Sequence, residues 1–352
     1  MNQLIKISTP LFLIIIYVIF TTYYDRGIEP MHGYPIWMKS STGQYSLQTS
    51  GLFFIGSEGK KKLFLSANDN GRIDRISIDD SFSPPKFDTQ VLHFQFSSTA
   101  YFFQHFAKID FEDIVYDKVS NKILVSIEGN NGNNDLQPPQ YTNYKITEGV
   151  YELSFNKTIT DCDTLMNIRK LPMPENIFKF TNDNIAFEGM GITDNYFFMG
   201  LENATDSNSQ FSDSTYLYIV NRKTNNVKTI PTKKFGIRSI TGLCAQGDFK
   251  LYGIDREAKK IFCIFFESDF SIKKVMTKSF ELPMPDHSDI SMDKMTGVEA
   301  IALDDEGFIY TDVDPWSHLY KPNLTLKSFL SDEEKSNLVK LIPVFYKYKN
   351  PF

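Results

Sequence analysis

The chain is poor in cysteine: Cys162, Cys244 and Cys263 are the three that its 352 residues contain. Three cysteines without a regular spacing exclude a scaffold built on disulfides, and none has the paired spacing of a zinc site. Cys244 and Cys263 fall on neighbouring strand patterns, so they either form a disulfide in an oxidising compartment or are small buried apolar residues. The sequence leaves both interpretations open.

Positive charge is also not in excess. The chain has 37 Lys and Arg against 43 Asp and Glu, a formal net charge of −6 and a pI near 5.5. A nucleic-acid-binding protein usually presents a basic face, so this balance argues against a nucleic-acid partner. The lysine clusters at 60–62 and 233–234 lie in turn-like segments, and we interpret their charges as solvated.

Long apolar runs are missing except at residues 11–20, which form an unbroken run behind Lys6. A run of this length is short for a membrane span and is typical of a signal-peptide core. Neither a small-x-small cleavage site nor a lipobox cysteine follows, so an uncleaved anchor over residues 5–24 is the alternative. We therefore expect residues 1–25 to be a signal peptide or a signal anchor. The protein would then be exported, to the periplasm or the cell exterior, and held at the membrane if the segment stays uncleaved.

The chain does contain one sequence motif that recurs with some variation. Each copy is a short apolar stretch with a small or acidic pair, then a turn, then a second strand that ends in an acid. Self-similarity of this kind is typical of a ring or stack of similar units, and the spacing of the copies fits one four-stranded unit each. The five copies span residues 50–69, 111–128, 187–202, 241–255 and 298–314.

The second copy shows what a whole unit contains. Strand patterns at 111–116, 122–128, 149–155 and 164–173 follow one another without an amphipathic helix between them. Four antiparallel strands per unit is the pattern of a β-propeller blade. The abundance of Phe (31) and Tyr (18) also favours strands over helices.

A second repeat supports the equivalence of the units. The sequence Leu-Pro-Met-Pro at 171–174 returns at 282–285, at the same distance before the acid of the next copy. We therefore predict an all-β fold, a β-propeller with four antiparallel strands per blade, behind an N-terminal hydrophobic helix. Five blades is the direct count, and six is the alternative. The prediction places a linker and closing strand at 26–44 and a single propeller domain at 45–352.

Acids recur at equivalent positions of the units. Glu112, Glu188 and Glu299 lie in the first strand of their copies. In a propeller the innermost strands line the central channel, so we expect these three side chains at one level around one axis. Two copies carry Ser50 and Thr241 instead of an acid at this position. Any metal would therefore be held asymmetrically, by three units of five.

The acids that end the second strands form a possible further ring, or they face solvent at the loop mouths. Many carboxylates in a narrow passage repel one another unless they are protonated or neutralised by a cation. Oxygen ligands without His or Cys favour Ca²⁺ over a transition metal. The second-strand acids are Asp69, Glu128, Glu202, Asp255 and Asp314.

The motif phrases resemble those of two related bacterial groups. The phrases at 110–130, 187–203 and 297–314 resemble the signature of the SdiA-regulated family and of the phytase-like family, also called esterase-like activity of phytase. The opening at 50–79 is similar to their first unit. The resemblance, over about residues 45–320, implies a propeller that is five-bladed in the SdiA-regulated group and usually exported.

The same resemblance implies calcium at the family site. Carried over by motif, its candidate ligands here are Glu112, Glu188 and Glu299. This chain departs from the family phrase at Asp113 and Ala300, where the family has glycine, and it lacks the first acid in two of its copies.

Catalysis stays open at this stage. There is no G-x-S-x-G elbow, and the five histidines share no spacing that indicates a pair or a triad. We therefore expect a calcium-binding propeller that binds a small molecule or a protein ligand at its channel mouth. The alternative is a metal-dependent phosphoesterase or esterase of the phytase-like type, which would use the channel carboxylates.

Overall fold

The structure is a computed structural model. It describes residues 30–352 except 96–97, 100–101, 103–108, 130–146, 183–184, 205–211, 213 and 321–327. The signal peptide or anchor predicted for residues 1–25 lies outside the described residues, and the predicted linker is described from residue 30 onward. In the described part of the chain, no helix has the length and apolar character needed to cross a membrane.

Strands make up most of the described chain, as its aromatic and β-branched content favours. The structure also has a short helix α1 (Asp332–Val339) and two 3-10 segments, Glu175–Phe180 and Lys233–Phe235. The strands are β1 (Met31–His32), β2 (Tyr34–Trp37), β3 (Thr49–Glu58), β4 (Lys61–Asn68), β5 (Ile73–Asp79), β6 (Lys86–Phe94), β7 (Phe111–Asp117), β8 (Lys122–Ile127), β9 (Gly149–Phe155), β10 (Thr164–Lys170), β11 (Phe187–Ile192), β12 (Tyr196–Leu201), β13 (Tyr216–Asn221), β14 (Val227–Pro231), β15 (Gly242–Ala245), β16 (Lys250–Asp255), β17 (Lys260–Phe266), β18 (Ile272–Glu281), β19 (Pro283–Met284), β20 (His287–Ser291), β21 (Thr296–Leu303), β22 (Ile309–Pro315) and β23 (Val344–Tyr348).

These strands form consecutive antiparallel four-stranded units. Within the described residues the units are β3–β6, β7–β10, β11–β14, β15–β18 and the set β21, β22, β23 and β2. The first two units join into one sheet through a short parallel pairing of β6 with β10. The inner strands β3, β7, β11, β15 and β21 each pack against the next, and β21 packs against β3. The units therefore close into a ring around a channel, which confirms the predicted all-β propeller fold.

The ring is closed by contacts between the two ends of the chain. Strand β2 is the outermost strand of the last unit and pairs antiparallel with β23, so the last sheet is completed by the first described segment. Strand β1 adds to the neighbouring unit by parallel pairing with β18. Such pairing removes an open sheet edge, which would otherwise be free to pair with another chain.

Lys62 adds an electrostatic link between the first and the last unit of the ring. Its side chain is 3% exposed, and its Nζ lies 2.9 Å from Glu306 Oε1 and 3.6 Å from Asp304 Oδ2 in the turn between β21 and β22. Burial lowers the pKa of Lys62, but its hydrogen bonds to Asp305 and Glu306 more than offset this and raise it. The interpretation of this lysine as a solvated turn charge is therefore wrong.

The apolar core lies between neighbouring units and not inside one of them. Phe198 of β12 and Leu251 of β16 share one cluster. Phe64 of β4 and Tyr310 of β22 share another, with ring centroids 4.9 Å apart. Because each sheet covers the face of the next, no unit can bury its own apolar face alone.

We number the motif residues of each copy from Ser50, Glu112, Glu188, Thr241 and Glu299, so that the second ones are Gly51, Asp113, Gly189, Gly242 and Ala300. The inner strands approach so closely that this second residue is small in four of the five copies. A Cβ at Gly51 would lie 2.7 Å from Asp113 Cα, and a Cβ at Gly242 would lie 2.9 Å from the carbonyl oxygen of Glu299. Both obstacles are backbone atoms of the next inner strand. Glycine is thus required at these two positions by lack of space.

Asp113 is the exception, and it uses its carboxyl group to bind the neighbouring strands. Its Oδ1 accepts a hydrogen bond from Ile114 N at 2.7 Å, and its Oδ2 accepts one from Met190 N in β11. Burial raises the pKa of Asp113 well above its usual value, although the N–H groups of Met190, Ile114 and Leu52 act to lower it. One buried side chain therefore joins β3, β7 and β11.

The three cysteines are free thiols. Cys244 in β15 and Cys263 in β17 are both cross-strand neighbours of Tyr252, so β16 lies between them. Of the two interpretations left open by the sequence, the small apolar residue is therefore the one that the structure supports.

Gly51→Ala tests the close approach of the inner strands. Its methyl group would lie 2.7 Å from backbone atoms of Asp113 and Ile114. Overpacking of this kind costs about 1–3 kcal/mol, so we expect that loss in the free energy of unfolding, measured in urea by tryptophan fluorescence. Gly191→Ala is the matched control, because its methyl group would meet its nearest neighbour at 3.3 Å. Equal losses in the two variants would contradict this account of the ring.

Candidate metal centre

The first motif residue is the extra residue of a β-bulge. The pairing of β7 with β8 skips Glu112, the pairing of β11 with β12 skips Glu188, and the pairing of β21 with β22 skips Glu299. Ser50 holds the same position in β3. A bulge leaves one residue out of the ladder and re-aims its side chain. The closed ring then brings the side chains of these bulge residues to one end of the channel.

Carboxyl groups and one guanidinium meet at this end, which we call the acidic mouth. Asp110, Glu112 and Glu128 each offer an oxygen, and these atoms lie within 4.8 Å of one another. Glu128, Glu188 and Glu202 form a second such set. The acidic mouth consists of Asp69, Asp110, Glu112, Glu128, Glu188, Glu202, Arg256, Glu299 and Asp314.

Arg256 is the cation of the acidic mouth. Its Nη1 donates to both carboxylate oxygens of Glu299 at 2.7 Å, and its Nη2 donates to Glu202. The Oε2 of Glu188 lies 3.7 Å from Nη1. Burial lowers the pKa of Arg256, but the charges of Glu299 and Glu188 raise it by more, so the guanidinium stays protonated.

Sequence reasoning missed Arg256 because the repeat has no arginine at this position. It directly follows Asp255, and in the other four copies the residue after the second-strand acid is Asn, Gly, Asn or Pro. The sequence signal that could have identified Arg256 is a basic residue that occurs at this position in one copy only. Asp110 was missed for the same reason, since it precedes the motif in one copy only.

The three predicted metal ligands have different surroundings. Glu112 and Glu188 each belong to one of the carboxylate sets, and Glu128 belongs to both. Glu299 instead binds Arg256 through both of its oxygens. The geometry therefore groups Glu112 and Glu188 with Glu128, and it assigns Glu299 to the guanidinium.

The second-strand acids also divide. Glu128 and Glu202 belong to the carboxylate sets, and Asp69 accepts a hydrogen bond from the Ser50 hydroxyl. Asp255 is different, because Oδ2 accepts from Arg238 N and Oδ1 from Ala258 N, each at 2.9 Å. It thereby holds the loop that carries Arg256 instead of contributing to the carboxylate sets.

Burial makes the ionised forms of these acids costly. Burial first, and then the charges of Asp110 and Glu128, raise the pKa of Glu112 well above its usual value. Burial raises the pKa of Glu188 to about 8, although the charge of Arg256 acts to lower it. On β22, burial and then the charge of Glu299 raise the pKa of Asp312 well above its usual value. Without a bound cation, some of these groups are therefore protonated at neutral pH.

Comparisons with known proteins found distant similarities to solved structures. No family model matches the chain, and no curated protein matches it by sequence. Among solved structures, a luciferin-regenerating enzyme is 12% identical with a TM-score of 0.43, over 90% of this chain and 96% of that chain. A streptogramin B lyase is 11% identical with a TM-score of 0.35, over 90% of this chain and 98% of that chain. At this level of similarity neither structure carries an argument about function.

Arg256→Met tests the electrostatic role of the guanidinium. Removing one partner of a fully buried ion pair leaves charge uncompensated and costs about 3 kcal/mol or more. The Arg256 side chain is 26% exposed, so we expect a smaller loss of about 2 kcal/mol in the free energy of unfolding at pH 7 in EDTA. Arg169→Met is the control, because Arg169 pairs with Glu152 on the surface and its side chain is 66% exposed, so its loss should cost at most about 1 kcal/mol. Similar losses in both variants would show that the acidic mouth does not need its cation.

The pKa of Glu188 predicts a pH dependence of stability in EDTA. In the folded protein this pKa is about 8, against a usual value of 4.5, so unfolding between these pH values releases a proton. Stability should therefore fall as pH rises from about 5 to 8, by up to about 1.4 kcal/mol per pH unit for each proton. Urea unfolding at four pH values should show a smaller fall for Glu188→Gln and an unchanged fall for Glu175→Gln, a control at an exposed residue outside the acidic mouth. An unchanged fall for Glu188→Gln would contradict the assignment.

Proposed function

We propose that the protein is a calcium-binding β-propeller that holds the ion at its acidic mouth and there binds a ligand or partner. The observation that carries this proposal is the close approach of carboxyl oxygens at the mouth. Asp110, Glu112 and Glu128, and again Glu128, Glu188 and Glu202, bring oxygens within 4.8 Å of one another. Carboxylates this close repel one another unless they are protonated or neutralised, and a divalent cation would neutralise them.

The donor atoms suit calcium. Both carboxylate sets consist of oxygen donors without His or Cys, which favours a hard cation. Calcium binds oxygen at about 2.3–2.6 Å and accepts six to eight ligands. Donor atoms on opposite sides of such an ion lie about 5 Å apart, so the 4.8 Å limit within each set is compatible with it.

Glu128 is the residue we expect to matter most for the ion. It belongs to both carboxylate sets, and its Oε1 accepts a hydrogen bond from Ala186 N at 2.8 Å. This bond fixes the side chain before any ion arrives. A pre-positioned ligand reduces the ordering cost of binding.

The resemblance to the SdiA-regulated and phytase-like families supports the same ion. Membership of either family remains a prediction, as do export and the N-terminal signal peptide or anchor. A bound calcium ion with open coordination positions would be a direct contact for an oxygen-bearing small molecule or protein ligand at the mouth.

Hydrolysis of a phosphate or ester is the alternative. A bound ion could polarise a phosphoryl or ester oxygen, but the described histidines do not support proton transfer at the mouth. His32 pairs with Glu281 at 2.7 Å and His287 with Glu334 at 2.9 Å. His93 is exposed on β6, and His318 is exposed in a turn. His105 lies outside the described residues. We therefore favour binding over catalysis.

Calcium should stabilise the full-length protein. An ion at 100 times its Kd adds about 2.7 kcal/mol, which for a chain of this size is a rise in Tm of roughly 4 °C. We expect this rise between EDTA and excess calcium for the native chain and little of it for Glu128→Gln. Glu281→Gln, a surface change, should retain the full rise. Magnesium should give a smaller rise, because it prefers to keep several of its waters.

Two outcomes would overturn this proposal. One is the absence of any calcium-dependent rise together with elemental analysis that finds no bound divalent ion. The other is calcium-dependent hydrolysis of p-nitrophenyl phosphate or acetate that Glu128→Gln abolishes and Glu281→Gln preserves. The second result would establish the hydrolase instead.

A further inference from the structure

The end of the channel opposite the acidic mouth holds an apolar pocket. Its volume is about 180 Å³, and every inner strand contributes to it. The fourth motif residues line it, one from each copy: Phe53, Val115, Gly191, Cys244 and Ala302.

The pocket exists because the side chains at the fourth motif position differ in size between the copies. Gly191, Cys244 and Ala302 are small and lie on the consecutive inner strands β11, β15 and β21. Phe53 and Val115 on the other two inner strands do not fill the space that these residues leave. An apolar cavity of about 150 Å³ is large enough to bind benzene, so this pocket can accept a ring or a short branched chain.

A surface cleft connects the pocket with solvent. The cleft has a volume of about 460 Å³ and shares Phe53, Lys118, Ile192 and Ala245 with the pocket. An apolar cavity with a polar entrance is the usual form of a small-molecule site.

Hydrogen bonds between and within neighbouring units hold the loops of the cleft in place. Arg222 donates to Asp117 through Nη2 and to the Thr193 carbonyl through Nη1, the latter at 2.8 Å. Asn195 Nδ2 donates to Asp248 Oδ2 at 2.8 Å. The entrance is therefore formed before a ligand binds.

The charges of the entrance indicate the head group. The charge of Asp117 is offset by Arg222. Lys118 is exposed, lines both the pocket and the cleft, and has no ion pair within the described residues. Asp194 and Asp248 line only the outer cleft. The charged residue that lines the apolar pocket is thus a cation.

We propose that this pocket binds a small apolar molecule with a carboxylate or sulfonate group. The apolar body lies among the fourth motif residues, and the anionic group lies beside Lys118. The site is independent of the acidic mouth, so the experiments are done in EDTA on the full chain, where failure of the calcium proposal has no effect on them.

The first test measures binding of 4-phenylbutyrate by isothermal titration calorimetry, because its single ring suits a pocket of about 180 Å³. We expect one saturable site per chain. 4-Phenylbutylamine has the same apolar body with a cationic head, which a lysine at the entrance would repel, so it should bind about fivefold more weakly. No saturable site, or an amine that binds as well as the carboxylate, would overturn the proposal.

Substitutions separate the pocket from other apolar surface. Lys118→Gln should weaken phenylbutyrate about threefold and remove its advantage over the amine, whereas Lys274→Gln, an exposed control on β18, should change neither. Ala302→Leu should abolish binding of both compounds, with urea unfolding as the check that the variant folds. Unchanged binding in folded Ala302→Leu would contradict the proposed location.

Thiol protection tests the location without any substitution. Cys162 and Cys263 are fully buried and Cys244 is half-buried in the pocket lining. Burial raises the pKa of the Cys244 thiol to about 12, so its reaction with methyl methanethiosulfonate should be slow. We expect phenylbutyrate to slow it further, and an unchanged rate at saturating phenylbutyrate would overturn the assignment.

Discussion

The close approach of the inner strands is the constraint on which the rest of the structure depends. Gly51 and Gly242 stand where any Cβ would meet backbone of the next strand. With no room at the second motif position, the first motif residue is displaced by a bulge to one end of the channel. The fourth motif residues, two places after the second, line the other end. The packing of the ring thus decides where chemistry can be placed, and the residue types decide what it is.

The same packing makes the acidic mouth electrostatically costly. Glu112 and Glu188 are brought together with other acids and removed from water, which raises their pKa values. Arg256 offsets part of this cost by binding Glu202 and Glu299. A cation that binds the folded ring but not the unfolded chain would offset more of it and stabilise the ring in doing so. Ion binding and stability of the propeller are therefore one linked equilibrium under the proposed function.

The sequence repeat predicted the positions of residues that the units share. It did not predict the roles of residues that occur in one unit only. The propeller followed from the spacing of similar copies, because each unit must bury its face against the next. The meeting of Glu112 with Glu188 followed from their equivalent positions. Arg256 and Asp110 occur out of phase, so the repeat gave no reason to place them at the mouth. Asp255 is in phase, yet nearby backbone N–H groups hold its carboxylate, and such local competition is not visible in the spacing.

The two ends of the channel are chemically distinct because its interior is filled. Asp113 follows Glu112 on β7 and precedes the pocket-lining Val115, so its carboxyl group lies between the two ends. That group is buried and accepts hydrogen bonds from Met190 of β11 and Leu52 of β3. Asp312 of β22, which pairs with Ala300, is also buried. A ligand in the apolar pocket therefore has no direct contact with an ion at the acidic mouth. Any coupling between the two sites must pass through the inner strands themselves, which the close packing at Gly51 and Gly242 makes stiff.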